Sequence, residues 1–312
     1  MLKGLAITPP VVGRISIGRV VEKNGKRLPE KDDQFTITTQ VQTRDGWLLH
    51  PQDEAQRKQH GGDKLRSIDI LLPFNDPDLN LRAEYSYFDR RDGRPICIGD
   101  GETCRRDTDE GMQSMPCYTP DNCGFHNREC KPYGRLYVVI GDQDELGTFV
   151  LRTTSYNSIR TLAARMRYFH AVSGGLLACM PLELRLRGKS TTQSFRTAIY
   201  YVDLVIGYGM TLAEAIRDAQ RLDLQRREAG FDQAALDKAA RLGFANGSFE
   251  ESVEDVPAVV EEFFPDARDC AMTDDAKATD LASKLEAKAR RLGSPVLRKT
   301  SARAAASGTD SA

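Results

Sequence analysis

Between Cys104 and Cys130 the chain reads CRRDTDEGMQSMPCYTPDNCGFHNREC, a run without a single Leu, Ile, Val or Ala. So long a stretch cannot build a hydrophobic core of its own, so it is either disordered or pinned by some other device. The composition names the device. Five of the seven cysteines fall at Cys97, Cys104, Cys117, Cys123 and Cys130, with His126 among them and only Cys179 and Cys270 elsewhere. Clustered thiolates in a segment that lacks apolar content suggest a metal ion as the staple.

Cys104, Cys117, Cys123 and Cys130 are separated by twelve, five and six residues, wider than the paired knuckles of familiar zinc sites. Pro116, Pro120, Asn122, Gly124 and Pro132 let the backbone turn around a tetrahedral ion. Cys97 on the incoming strand is a reserve ligand for Cys104, and His126 for one of the thiolates. Zinc is the expected metal, and an iron-sulfur cluster, which also takes four cysteines, is the alternative. Four thiolates would close a zinc shell and leave no position for an activated water, which points to a structural site. The N-terminus lacks the apolar run of a signal peptide and no stretch is long and apolar enough to span a membrane. The expected location is therefore the cytoplasm, where thiols stay reduced and disulfides are not expected.

Around the cysteines the hydrophobic pattern predicts an α+β fold, a mostly antiparallel β domain with one central helix. Strands are expected over 11–21, 34–43, 64–72, 79–88, 134–140 and 147–153, with polar loop over 50–63, so the cysteine run reads as a metal-binding loop inserted between strands. Ile159, Leu162, Ala163, Met166 and Phe169 recur at helical spacing behind Ser155 or Ser158 as cap, and Ser173-Gly174-Gly175 ends that helix. Strand pattern returns at 182–186 and 195–206. Residues 1–210 thus form the first region. From Thr211 two amphipathic runs flank Gly230, a helical hairpin or short coiled coil over 211–247 that offers a route to oligomers through 211–245. Residues 248–312 are expected to hold an acidic segment, a helix over 274–291 and a disordered tail. From Glu250 to Asp266 seven carboxylates and no basic residue alternate with Val256, Val259, Val260, Phe263 and Phe264. Such a segment folds either against a partner or against its own domain.

Catalytic signatures are missing. Gly188-Lys189-Ser190-Thr191 imitates the end of a phosphate-binding loop, but Glu183 stands where that loop needs glycine and a strand follows in place of a helix. None of the four histidines lies near a nucleophile motif. Charge is more telling. From Arg152 to Asp203 eight cations face only Glu183 and Asp203. Among them Arg160, Arg165, Arg167, Arg185, Arg187, Lys189 and Arg196 are candidate DNA contacts, because Tyr156, Tyr168, Phe195, Tyr200 and Tyr201 are interleaved with them.

The runs CIGDGETCRRDTDEGMQSMPC, CKPYGRLYVVIG and SIRTLAARMRYFHAVSGGLLACMPLELRLRGKST resemble a family of phage and mobile-element proteins similar to the recombination directionality factors that partner large serine integrases. The resemblance covers roughly residues 1–210. It implies a non-enzymatic accessory that binds a recombinase or serine integrase on DNA and switches recombination from integration towards excision, with Cys104, Cys117, Cys123 and Cys130 as metal ligands. The competing reading is a single-stranded DNA-binding or annealing accessory that works beside a phage-type recombinase.

Overall fold

The computed structural model describes residues 10–246, except 24–25, 44–45, 90–92, 126–128, 142–146 and 191–197, together with Phe263. The described residues belong to one compact unit, Met1–Phe263. His126, Arg196, Cys270, most of the acidic segment, the helix expected over 274–291 and the tail lie outside the described residues.

In chain order the elements are β1 (Val11–Lys23), β2 (Lys26–Thr43), β3 (Gly46–Leu49), α1 (Pro51–His60), β4 (Ser67–Ile70), α2 (Pro77–Asn80), β5 (Leu81–Phe88), β6 (Pro95–Gly99), β7 (Thr103–Thr108), β8 (Gly111–Pro116) and α3 (Thr119–Asn122). They continue with β9 (Lys131–Val138), β10 (Thr148–Thr153), α4 (Tyr156–Val172), β11 (Leu182–Lys189), β12 (Ile199–Ile206), α5 (Leu212–Glu228) and α6 (Gln233–Asn246). Nine strands form one sheet in the order β3-β2-β1-β10-β9-β5-β6-β7-β8, and β12-β11-β4 form a second. The expected mixed, strand-rich α+β architecture is what the chain adopts. All pairings are antiparallel except β1 with β10.

One face of the large sheet contributes Ile15, Phe35, Ile37, Leu81, Leu136 and Leu151 to the core, against Leu182, Leu184, Val202 and Leu204 of the small sheet and Leu162, Met166 and Phe169 of α4. Helix α4 forms because Ser155 Oγ accepts the Ser158 amide at 3.3 Å and its apolar residues share one stripe. It sits close to the sheet at Gly134, where a Cβ would lie 2.8 Å from Ile159 Cγ1.

Two sequence expectations need correction. Residues 51–60, read as loop, are α1. His50 Nδ1 caps it by accepting the Gln52 amide at 3.1 Å, and it docks through polar atoms: Asp53 Oδ1 accepts the Ile37 amide at 2.9 Å and Gln56 Oε1 accepts the Asp69 amide at 3.0 Å. A helix held by hydrogen bonds has no apolar stripe to reveal it. The run after Cys97, read as an inserted loop, is instead largely a continuation of the sheet through β7 and β8. Backbone pairing, which needs no apolar side chains, supplies the order.

The two helices expected around Gly230 are present. Thr211 and Glu214 form a capping box on α5, which buries Ala215 and Ala219 in the main core. Helix α6 packs Leu236 and Ala240 on Phe74 and Leu79, and Arg241 reaches Asp76 at 2.5 Å. Both helices therefore turn part of their apolar stripes onto the body, Ala215, Ala219 and Ala240 fully buried and Leu212, Ile216, Leu222 and Leu236 half-buried, leaving Leu224, Phe231 and Leu242 exposed. No helix among the described residues is long and apolar enough to cross a membrane.

Candidate metal centre and basic surface

Strand alternation sets the cysteine cluster. Gly99 lies opposite Cys104, Cys97 opposite Arg106 and Tyr87 opposite Cys97, so Cys97, Gly99, Cys104, Arg106 and Tyr87 share one face of β5, β6 and β7. Cys130 precedes β9 directly, and Cys97, Cys104 and Cys130 are all buried. The segment after β8 brings two more thiols over this face. Asp100 Oδ1 accepts the amides of Glu102 and Thr103 at 2.8 Å, closing the turn between β6 and β7, and the Cys117 amide donates to Glu102 O at 2.9 Å. Cys117 Sγ then lies 2.9 Å from where a Cβ on Gly99 would stand, so only glycine leaves room for it. Cys123 follows α3, and its Sγ accepts from Arg106 Nη2 at 3.8 Å while the same guanidinium stacks 3.7 Å over Phe125.

The five thiols interact with one another. Cys97 and Cys104 share a hydrogen bond, and burial together with Cys97 and Cys117 pushes the Cys104 thiol up to about 11. Burial, then Cys97, Cys117, Cys123 and Cys104, push Cys130 up to about 12. Uncharged, they form a small apolar cluster. As thiolates they would repel, which is the chemistry a divalent cation relieves. All are unbridged. The donor set is soft and suits zinc, yet among the described residues no three His, Cys, Asp or Glu side chains stand in ligating positions. Sequence reasoning held Cys97 only in reserve, although it belongs to the cluster as closely as the others. It missed Arg106 and Phe125, whose only signal is the strand period that puts Arg106 on the cysteine face.

The basic residues singled out from sequence form no single free patch. Arg165 Nε and Arg187 Nε converge on Asp203 at 3.1 and 2.7 Å, and Arg185 makes a two-pronged contact with Glu183 at 2.8 and 3.1 Å. Both acids are buried, so these guanidiniums are fixed and partly neutralised. Lys189 donates to Asn157 Oδ1 at 2.8 Å and lies over Tyr201, Arg167 reaches Asp78 at 3.4 Å, and Arg160 is exposed on α4. Tyr156, Tyr168 and Tyr200 are exposed nearby.

Burial alone would raise the Asp203 carboxyl, but the hydrogen bonds from Arg187 and Arg165 outweigh it and hold it below the ordinary value of 3.8. A depressed folded-state value adds stability above the unfolded value, near 4, and that stability is lost as pH falls through the folded one. Asp203→Asn is therefore expected to lower the urea midpoint at pH 7 and to matter progressively less below about pH 4. Equal losses at pH 7 and pH 3 would contradict the clamp.

No curated protein and no solved structure matches this chain. A family model does, over residues 12–207, a span that holds both sheets, α4 and the five clustered thiols. The chain therefore belongs to the Gp3-like, recombination directionality factor-like family.

Proposed function

We propose that this protein is a non-enzymatic accessory of a phage-type recombinase, one that binds a serine integrase on its attachment-site DNA and favours excision over integration. Family membership across residues 12–207 carries the reading and supports a role in phage recombination. The residues agree with a part that works by docking. Charged side chains in the basic region are tied into ion pairs with Asp203 and Glu183, and the exposed Leu224, Phe231 and Leu242 give α5 and α6 apolar contacts for another protein. Direct DNA contact in this reading runs through Arg160, Arg167 and Lys189, for none of which a buried carboxylate partner is seen among the described residues.

Within this reading Cys104, Cys117, Cys123 and Cys130 hold a structural zinc ion, and Cys97 is a fifth thiol able to replace one of them. A closed four-thiolate shell supplies rigidity and no Lewis-acid position. The ion would tie the segment carrying Cys117 and Cys123 to the rigid sheet, keeping the β7–β8 end in a shape that another protein can recognise.

The test is binding to integrase assembled on attachment-site DNA, followed by native gel or light scattering. The reading requires association with that complex in the nanomolar to low micromolar range and much weaker association with the DNA alone. Tight binding to bare single strands, with no affinity for the integrase complex, would replace it with the single-strand annealing role.

A further inference from the structure

The arginines beside the small sheet have carboxylate partners: Arg165 and Arg187 share Asp203, and Arg185 holds Glu183. Arg106 is different. It is half-buried, and among the described residues the polar contacts of its side chain are to sulfur. The register fixes where that side chain starts. Arg106 sits on β7, between β6 and β8, directly opposite Cys97 on one side and Gln113 on the other. Directly opposed residues share a face of the sheet, so the guanidinium rises among the thiols. Its Nη2 donates to Cys123 Sγ at 3.8 Å, and the same group hydrogen-bonds with Cys97.

Phe125 covers the guanidinium. Arg106 Cζ lies 3.7 Å from the ring centroid, and Tyr87 braces that ring edge-on with centroids 6.5 Å apart. A guanidinium lying over an aromatic face keeps its N–H groups in its own plane, where they reach sideways to acceptors. Burying part of a cation without a carboxylate is costly, and uncharged thiols, as weak acceptors, offset little of that cost. Thiolates around a divalent cation reverse the balance. Such a centre stays anionic after the metal's charge is counted, and each N–H···S bond to it becomes charge-assisted. Arg106 therefore suits the deprotonated cluster, from a position in which groups outside the ligand shell tune a metal site.

We propose that Arg106 is the outer counter-cation of the thiolate centre: its donors to Cys123 and Cys97 offset the negative charge that four thiolates leave around a zinc ion, strengthening metal binding and shielding the sulfurs from electrophiles. The role rests on the zinc reading proposed above and adds to it a positioning residue that is not itself a ligand.

The test uses full-length, zinc-loaded protein under oxygen-free conditions. One readout is zinc affinity, by competition with a chromophoric chelator. The other is the rate at which iodoacetamide releases zinc, followed with a metal-sensitive dye. That reagent transfers its carbamoylmethyl group to sulfur with loss of iodide, so it reports the nucleophilicity of the bound thiolates. Arg106→Met keeps an unbranched stem beneath Phe125 but removes the charge and the donors. It is expected to weaken zinc binding about ten-fold or more and to speed zinc release. Arg105→Gln removes an equal charge from the opposite face of β7, where Arg105 pairs with Ile98 and Ser114, and should change neither readout. Arg106→Lys, with the charge but no planar fork, should fall between wild type and Arg106→Met. If Arg106→Met fails to fold, Arg106→Lys decides, and wild-type values for it would overturn the proposal. Wild-type affinity and release rate in folded Arg106→Met would overturn it as well, as would an equal loss in Arg105→Gln. Wild-type protein that takes up no zinc would remove the zinc reading itself, and this role with it.

Discussion

Protein prepared without chelators is expected to carry close to one equivalent of zinc, and the double change Cys97→Ser and Cys130→Ser to reduce this below about a fifth, since with the reserve thiol also gone the three remaining thiolates do not close a tetrahedral shell. The effect on local order should be large. Zinc contributes roughly 10–16 kcal/mol in small peptides built around it, and few apolar side chains are available here to substitute for it. Hydrogen exchange should show amides of residues 117–125 losing protection, while β7 and β8, paired in their own ladder, lose less and Val138, Leu151 and Leu162, deep in the core, keep theirs. Cys97→Ser tests the reserve ligand: metal retained in full would confine the shell to Cys104, Cys117, Cys123 and Cys130. A protein that binds no metal, with the segment still protected, would sink the zinc reading and leave the β7–β8 ladder as the sole source of order.

Leu162→Ala should destabilise the whole unit. Its side chain is 0% exposed, between the two sheets and beside Met166 and Phe169, and removing a leucine from such a site costs about 2–5 kcal/mol. Leu242→Ala, at a position 63% exposed, should change stability by under about 0.5 kcal/mol. Denaturant melts of the two variants check the assignment. A small loss at Leu162 would mean that α4 is not the element bridging the sheets.

Strands over 11–21, 79–88 and 147–153 and the central helix were legible because their apolar residues follow periods of two and 3.6. Helix α1 was not, because Asp53 and Gln56 anchor it by hydrogen bonds. The cysteines were visible as a set, but their placement on strands was hidden, since CRRDTD and GMQSMP carry no β-rich apolar pattern and order comes from their mutual ladder. Charge counting found the basic region but not its clamps. Glu183 and Arg185 are two residues apart on β11 and so share a face, while Asp203 reaches them only through the β11–β12 register.

The direction of recombination is the decisive readout of this protein's role. In a reconstituted reaction with a serine integrase from the same element, adding the protein should start recombination between the two hybrid attachment sites and suppress the integrative reaction, with Cys130→Ser weakened in both effects. An unchanged product ratio at saturating protein, with integrase active and the protein folded and metal-loaded, would contradict it.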